Sequence, residues 1–551
     1  MSMQDEEIPL TIKVIETTPF SDQKPGTAGL RESVARFREP HYLNNFIQSV
    51  FDSVPDLAGA RLVIGGDGRH FNREAAQTFI RMAVANGVSE IILGADAILS
   101  TPAAAHLVAL EGAAGGFLLT ASHNPGGPDG DFGIKFNVRG GGQASAELTD
   151  RIHARSLQIR EYREAHIPLP RLDDIGLHSL SEGCRLRIVD PVNAHADLME
   201  SQFDFPAIAR WLQARPGRFL FDAMHAVTGP YAREVFVRRL GGDDSLLLNA
   251  SPREDFAGGH PDPNPVDAAD FVARFATADA PDLGGASDGD GDRNMIVGPG
   301  RMVSPCDSLA IICANHDCIP GLAGRLKGVA RSMPTSRALD TVAQALGIPC
   351  HETPTGWRFF ASLLDAGQIQ LCGEESFGTS SDHVREKDGL WAVLAWMQML
   401  ASHNCSVDEL LERHWQRFGR HYFVRHDHAL SSEQGDAVMA HLDQHTDRGR
   451  LTLGGYELSA DSFSYTDPIS GHTVTRQGIR LHTDTGGRIV FRLSGTGTQG
   501  ATLRIYLEQA VAADADWRQD RDGVLEPLSR LALEAANLRK LCGETTPTAV
   551  I

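Results

Sequence analysis

Three stretches of this chain follow one plan. Each alternates short apolar strands with helix patterns and ends on a strand that feeds a loop crowded with polar and charged residues. In the first, Arg61-Leu62-Val63-Ile64 reads as a strand and residues 72–86 as a helix. Ile91-Ile92-Leu93 is the next strand and 101–110 the next helix. Gly116-Phe117-Leu118-Leu119 then leads into Thr120-Ala121-Ser122-His123. In the second, Phe219-Leu220-Phe221, a helix over 231–240, Leu246-Leu247-Leu248 and a helix over 267–275 precede Asp288-Gly289-Asp290-Gly291-Asp292-Arg293. In the third, a helix over 308–315, Gly328-Val329-Ala330, a helix over 339–345 and Ile369-Gln370-Leu371-Cys372 lead into Gly373-Glu374-Glu375-Ser376. The pattern predicts a diverged repeat of one α/β unit, with ligand chemistry at the strand ends.

The last part of the chain breaks the pattern. Phe463-Ser464-Tyr465, Gly478-Ile479-Arg480-Leu481 and residues 488–493 alternate as strands, and a helix over 524–541 follows. The expected architecture is three related α/β domains with mixed sheets plus a smaller C-terminal α+β domain. The boundaries fall at residues 1–192, 193–301, 302–410 and 411–551, with 1–10 a loose tail.

Charge narrows the function. With 71 acidic and 51 basic residues the chain carries a net charge of −20, which argues against sequence-independent nucleic-acid or anionic-membrane binding. Nothing at the N-terminus resembles a signal peptide, no apolar run reaches the ~18 residues of a membrane span, and the longest, 390–401, reads as a buried helix. Eight cysteines without a C-x-x-C spacing suit a reducing compartment, so the expected location is the cytoplasm. Only six of the basic residues are lysines, yet Lys24, Lys135 and Lys387 all fall in candidate loops. Lysine can release its proton when its environment demands it, and arginine cannot.

Ser122 is a hydroxyl nucleophile at a strand end. It needs a neighbour to take its proton and neutralise charge, and His123 and Lys135 are the candidates. Asp288, Asp290 and Asp292 alternate with glycines, so three hard oxygen donors can face one point and select Mg²⁺ or Ca²⁺. An EF-hand would need Gly and Glu where Arg293 and Pro299 stand. The better account is one Mg²⁺ held by the three aspartates and an oxygen of phosphorylated Ser122, with Arg293 steadying the transferring phosphoryl group. Arg492-Leu493-Ser494-Gly495-Thr496-Gly497-Thr498 follows a strand and offers amides, hydroxyls and a guanidinium for a second phosphate. Arg504 on the next strand can point into the same pocket.

These loops, with Gly26-Thr27-Ala28-Gly29-Leu30-Arg31, Thr355-Gly356-Trp357-Arg358 and His383-Val384-Arg385-Glu386-Lys387-Asp388-Gly389, resemble in order those of the α-D-phosphohexomutase superfamily. The resemblance implies four domains around a central cleft. It implies an isomerase acting on a hexose phosphate, with Ser122 the phosphoserine, and with Lys387 the general acid/base. Thr27 and Arg31 stand beside Ser122, and the three aspartates hold Mg²⁺. Glu374 and Ser376, with Thr355, Gly356 and Trp357, take the sugar, while Arg492, Ser494, Gly495, Thr496 and Arg504 hold the phosphate that is not reacting. The implied reaction interconverts glucose 1-phosphate and glucose 6-phosphate through glucose 1,6-bisphosphate, in a monomer or at most a weak dimer. The alternatives are a mannose-phosphate preference, a bisphosphate synthase, or a scaffold without catalysis.

Overall fold

The structure, a computed structural model, describes residues 10–26, 29–494, 500–543 and 545–551. Thr27, Gly495, Thr496 and the expected tail before Leu10 lie outside them. The chain forms two compact units. The first comprises Met1–Pro263, Gly284–Met295 and Ser380–Gln398, and the second Asn264–Leu283, Ile296–Thr379 and Met399–Ile551. Three α/β segments and a C-terminal α+β segment are present, as the repeat predicts. Among the described residues, no helix is long and apolar enough to cross a membrane.

In the first unit a seven-stranded mixed sheet carries the site. Arg61–Gly66 lies at its centre, parallel to Glu90–Ile98 on one side and to Gly115–Leu119 on the other. Asp131–Val138 returns antiparallel to Gly115–Leu119 and pairs in turn with Leu30–Ser33. On the far side, Cys184–Val189 is parallel to Glu90–Ile98, and the hairpin strand Gly176–Ser181 closes the edge. The central strands are buried on both faces, so they read as unbroken apolar runs. Helices Tyr42–Ser53 and Asn72–Ala85 contribute Phe51 and Phe79, which meet Phe117 of the sheet at ring-centroid distances of 5.9 and 4.5 Å. Ser100 caps helix Thr101–Leu110 by accepting the Ala103 amide, with a proline in the first turn. In the second α/β segment, Phe219–Asp222 runs parallel to Leu247–Leu248, and Leu283–Ala286 delivers the aspartate loop.

In the second unit, Val329–Ser332 is parallel to both Cys350–Thr353 and Leu371–Glu374. The C-terminal segment is a seven-stranded antiparallel sheet whose long strands, Arg420–Leu430 and Ala501–Val511, pair over their full length. Helices Ser432–Thr446 and Arg521–Ala535 pack on it.

Three elements depart from the sequence reading. The helix expected over 231–240 is a short α-helix, Thr228–Ala232, continued as a π-helix, Arg233–Arg239. The wider turn brings Arg239 within 3.1 Å of Glu234, five residues back, while Arg238 reaches the same carboxylate at 3.1 Å. The helix expected over 524–541 breaks at Asn537, whose left-handed backbone (φ 49°) separates Arg521–Ala535 from Leu538–Cys542. Residues 463–465 are not one strand. Tyr456–Ser462 is the strand, and Phe463 and Tyr465 leave it to pack with Met333 and Tyr506.

Phe117 is fully buried and also meets Phe136 at 5.0 Å. Phe117→Ala should cost about 3–5 kcal/mol and lower the midpoint of the first thermal transition by several degrees. Calorimetry checks this, and an unchanged midpoint would mean that the aromatic cluster does not hold the sheet.

Candidate active site

Ser122 follows the strand Gly115–Leu119 in a backbone that a side chain seldom adopts, with φ at 53°. Such a residue costs on the order of 1–2 kcal/mol and persists only where its surroundings enforce it. Thr120 Oγ1 accepts the Ser122 amide at 2.7 Å, and Arg69 Nη2 donates to the Ser122 carbonyl at 2.6 Å. Arg69 is itself fully buried, forked onto Asp67 at 2.9 and 3.0 Å, and Thr120 donates to the same carboxylate at 2.5 Å. Asp67 and Arg69 sit in the loop after the central strand. In the sequence only the Asp-Gly-Arg pattern at a strand end marks that loop. The outcome is a fixed turn that aims the Ser122 hydroxyl at Asp288, where Oγ donates to Oδ2 at 2.9 Å. His123 Nδ1 lies 3.4 Å from the same Oγ.

The aspartate loop converges as its spacing predicts. Oxygens of Asp288, Asp290 and Asp292 all lie within 4.8 Å of one another, and all three residues are buried. Asp288 Oδ1 accepts the Asp292 and Arg293 amides at 3.0 Å each, which folds the loop back on its first residue. Gly289 lies against Ser122, where an added Cβ would sit 2.3 Å from the Ser122 carbonyl oxygen. Thr101 donates to Asp290 Oδ2 at 2.6 Å from the first turn of its helix.

Cations come to this cluster from several elements. Register places Lys135 opposite Leu118, and its ammonium lies 3.4 Å from Asp290 and 3.8 Å from Glu386. Lys387 reaches Asp292 at 3.4 Å. Arg293 pairs with Asp262 at 3.2 Å and lies 3.9 Å from Asp288. Arg31, on the strand Leu30–Ser33, has a buried Nε with no hydrogen-bond partner and feels the charges of Asp290 and Asp292. Burial would lower the Lys135 pKa, but Glu386, Asp290 and Asp292 outweigh it and raise it above the usual value. Burial and the neighbouring carboxylates push Asp288 well above the usual carboxylate range. Asp290 meets the same burial, yet Lys135, Thr101 and Lys387 hold it below that range.

The donor set fits a hard divalent cation. Three carboxylates point at one place, and Asp290 Oδ1 and Asp292 Oδ1 are buried without a hydrogen-bond partner. An unpartnered buried carboxylate oxygen is costly unless a cation takes it.

The remaining predicted residues lie in the second unit. Glu374, on the strand Leu371–Glu374, accepts the Gly356 amide at 2.9 Å, which joins the two predicted sugar loops. Ser376 stands in the turn that follows and is half-buried, and Thr355 Oγ1 is buried without a hydrogen-bond partner. Trp357 is a core side chain, 2% exposed, with its ring edge-on to Phe360 at 5.0 Å. Its indole therefore packs against the helix Arg358–Asp365. Arg492 and Arg504 are directly opposite one another on paired strands and so share a face. Arg492 donates to Tyr506 Oη at 3.2 Å, and Arg504 lies 3.9 Å from Asp427. Ser494 ends its strand opposite Thr502.

Family models match nearly the whole chain. Phosphoglucomutase/phosphomannomutase α/β/α domains I, II and III match residues 22–163, 194–300 and 305–418. The phosphoglucomutase-1 C-terminal domain matches 420–548. A phosphoglucomutase of Rhizobium radiobacter is 47% identical, over 98% of this chain and 100% of its own. The chloroplastic phosphoglucomutase 1 of Marchantia polymorpha is also 47% identical, over 98% of this chain and 85% of its own. The open form of the exocytosis-sensitive phosphoprotein pp63/parafusin, a phosphoglucomutase from Paramecium, superposes with a TM-score of 0.90. It is 42% identical and covers 98% of this chain and 99% of its own.

His106, on the helix Thr101–Leu110, makes the acid side of stability predictable. Burial, followed by His195 and His383, lowers its pKa from 6.5 to about 4. The unfolded chain binds this proton near pH 6.5 and the folded chain only near pH 4. Stability from this group is therefore present above pH 6.5 and lost as pH falls from there toward 4. The loss should be on the order of 1–2 kcal/mol. Urea unfolding of wild type and His106→Gln at pH 7.5 and pH 5 checks it. The substitution should flatten the pH dependence, and equal slopes would remove His106 as a cause.

Proposed function

We infer the mechanism from one premise: this chain belongs to the phosphoglucomutase/phosphomannomutase family. Its activity is that of a phosphoglucomutase, an isomerase that interconverts glucose 1-phosphate and glucose 6-phosphate. The observation that carries the residue assignments is the strained Ser122 turn. It sets one hydroxyl 2.9 Å from Asp288 at the convergence of three buried carboxylates.

In this reading Ser122 is the phosphoryl carrier. The O–P bond at phosphorylated Ser122 breaks as the free hydroxyl of the bound sugar phosphate forms its own bond to phosphorus. Lys387 handles the proton at that hydroxyl. The product, glucose 1,6-bisphosphate, turns round and returns its other phosphate to Ser122. Asp288, Asp290 and Asp292 would hold Mg²⁺, which when bound supplies positive charge at the transferring phosphoryl group. Lys135 stays protonated and offsets the carboxylates, and Arg31 and Arg293 add charge for the phosphoryl oxygens. His123, at 3.4 Å from Ser122 Oγ, is placed to orient that hydroxyl in the dephosphorylated form. Thr355, Gly356, Glu374 and Ser376 are assigned to the sugar. Arg492, Ser494 and Arg504, with Thr27, Gly495 and Thr496, are assigned to phosphate contacts. All eight cysteines are free thiols, which suits a reducing compartment, and the cytoplasm is the proposed location.

A coupled assay of glucose 6-phosphate formed from glucose 1-phosphate, primed with glucose 1,6-bisphosphate, tests the assignments. Ser122→Ala should lower kcat by about 10³-fold or more while leaving the circular dichroism unchanged. Chelation should abolish turnover, and added Mg²⁺ should restore it. Substantial turnover in Ser122→Ala would end the phosphoserine role. Glucose 1-phosphate should be turned over at least about tenfold faster than mannose 1-phosphate, and the opposite ratio would favour the mannose alternative.

A further inference from the structure

Glu386 and Asp388 flank Lys387, and both acids are fully buried while the lysine is 12% exposed. A buried carboxylate is costly unless its oxygens are met, so the destination of those oxygens is informative. Glu386 Oε1 accepts Asn137 Nδ2 at 3.0 Å, and Oε2 accepts Gln143 Nε2 at 2.9 Å. Asn137 is two residues from Lys135 on the strand Asp131–Val138, so the two side chains leave the same face and meet the same carboxylate.

Asp388 turns the other way. Its Oδ2 accepts from two imidazoles, His195 Nε2 at 2.8 Å and His383 Nε2 at 3.1 Å, and its Oδ1 accepts the Trp391 amide at 3.0 Å. Both rings must carry a proton on Nε2 to make these bonds. In neutral His383 that leaves Nδ1 to accept from Ser381 Oγ at 2.7 Å. His195 comes from the helix Pro191–Gln202, in no loop singled out from the sequence, and its ring lies edge-on to Tyr231 at 5.5 Å. The next residue, Gly389, donates its amide to the Gly291 carbonyl at 3.1 Å, and a Cβ there would sit 2.0 Å from the Arg293 carbonyl oxygen. The Lys387 backbone is thus fixed from three sides, and two of those sides are side-chain clamps made by its immediate neighbours.

We propose that Glu386 and Asp388 are positioning residues that hold the Lys387 ammonium in place for proton transfer, with His195 the remote end of the Asp388 clamp. The proposal rests on the assignment of Lys387 as the proton-handling group. Asp388 acts through Lys387 alone, so its contribution must vanish when the lysine is gone.

A double-mutant cycle on the full-length enzyme with Mg²⁺ tests this. Lys387→Ala should lower kcat by about 10²-fold or more. Asp388→Asn sets an NH₂ group against either the two imidazole N–H donors or the Trp391 amide, so it loses one side of the clamp, and it should lower kcat about tenfold or more, with KM for glucose 1-phosphate within about twofold. In the Lys387→Ala background, Asp388→Asn should change kcat by less than about twofold. An equal fall in both backgrounds, or no fall in either, overturns the proposal. If Lys387→Ala leaves kcat intact, the assignment of the lysine fails, and the clamp with it, which is a distinct result. Where Asp388→Asn does not fold, His195→Phe takes its place in the cycle. It keeps the ring against Tyr231 and removes only the bond to Asp388, with the same pattern expected.

Discussion

The first unit is organised around a concentration of buried negative charge. Asp288, Asp290 and Asp292 meet within 4.8 Å, and the fold must supply compensation, because isolated buried carboxylates would otherwise take up protons. Lys135 arrives from one strand, Arg31 from its neighbour, Lys387 from a loop far along the chain, and Arg293 from the aspartate loop itself. With Asp262 and Glu386 included, five carboxylates face these four cations. The site is short of positive charge in just the place where two carboxylate oxygens lack partners. A divalent cation and a phosphoryl dianion would then enter as a nearly balanced pair. A bound cation would in this way offset the phosphoryl charge in a chain of net charge −20.

Charge compensation of this kind works only if the backbone is fixed. The Ser122 turn is strained, and Arg69 and Thr120 hold it. The aspartate loop is pressed against that turn at Gly289, and the Lys387 segment is pressed on the aspartate loop at Gly389, so neither position has room for a Cβ. Three chain segments thereby share one set of backbone contacts. Ser122, the aspartates and Lys387 keep their spacing together, which on the proposed assignments would let electrostatic stabilisation act without reorganisation.

The loops were legible in the sequence because their signals are local. Glycine alternation predicts convergent aspartates, and an apolar run ending in Ser-His predicts a hydroxyl at a strand end, although that hydroxyl is buried against Asp288 and not exposed as expected. Lysine scarcity singled out Lys135 and Lys387, both of which join the charge cluster, but also Lys24, which is exposed. What could not be read is who meets whom. Arg69 behind Ser122, Asn137 and Gln143 on Glu386, and His195 on Asp388 are choices of tertiary packing, with sequence separations from 53 to 249 residues. Trp357 shows how burial complicates a motif. Its neighbours Thr355 and Gly356 sit in a loop with an apparent sugar motif, yet its own burial against Phe360 makes it core. The π-helix at Arg233–Arg239 was equally invisible, and the contacts of Glu234 with Arg238 and Arg239 accompany its wider turn.

Two of the four cations of the cluster are lysines, although arginine does most cationic work in this chain. Lys135 lies between Asp290 and Glu386, 6% exposed, in a slot that takes a compact ammonium from either side. A planar guanidinium would need a fork-shaped partner and more volume. Its ammonium lies 3.4 Å from Asp290 and 3.8 Å from Glu386, and these carboxylates raise its pKa above the usual value. Lys387 is the more exposed of the two and is held by its backbone neighbours, with one carboxylate contact at 3.4 Å. A group that must gain and lose a proton cannot also be the charge on which its surroundings depend. On the proposed assignments these duties are separate, with Lys135 the charge beside Asp290 and Glu386 and Lys387 the group that exchanges a proton with the sugar hydroxyl.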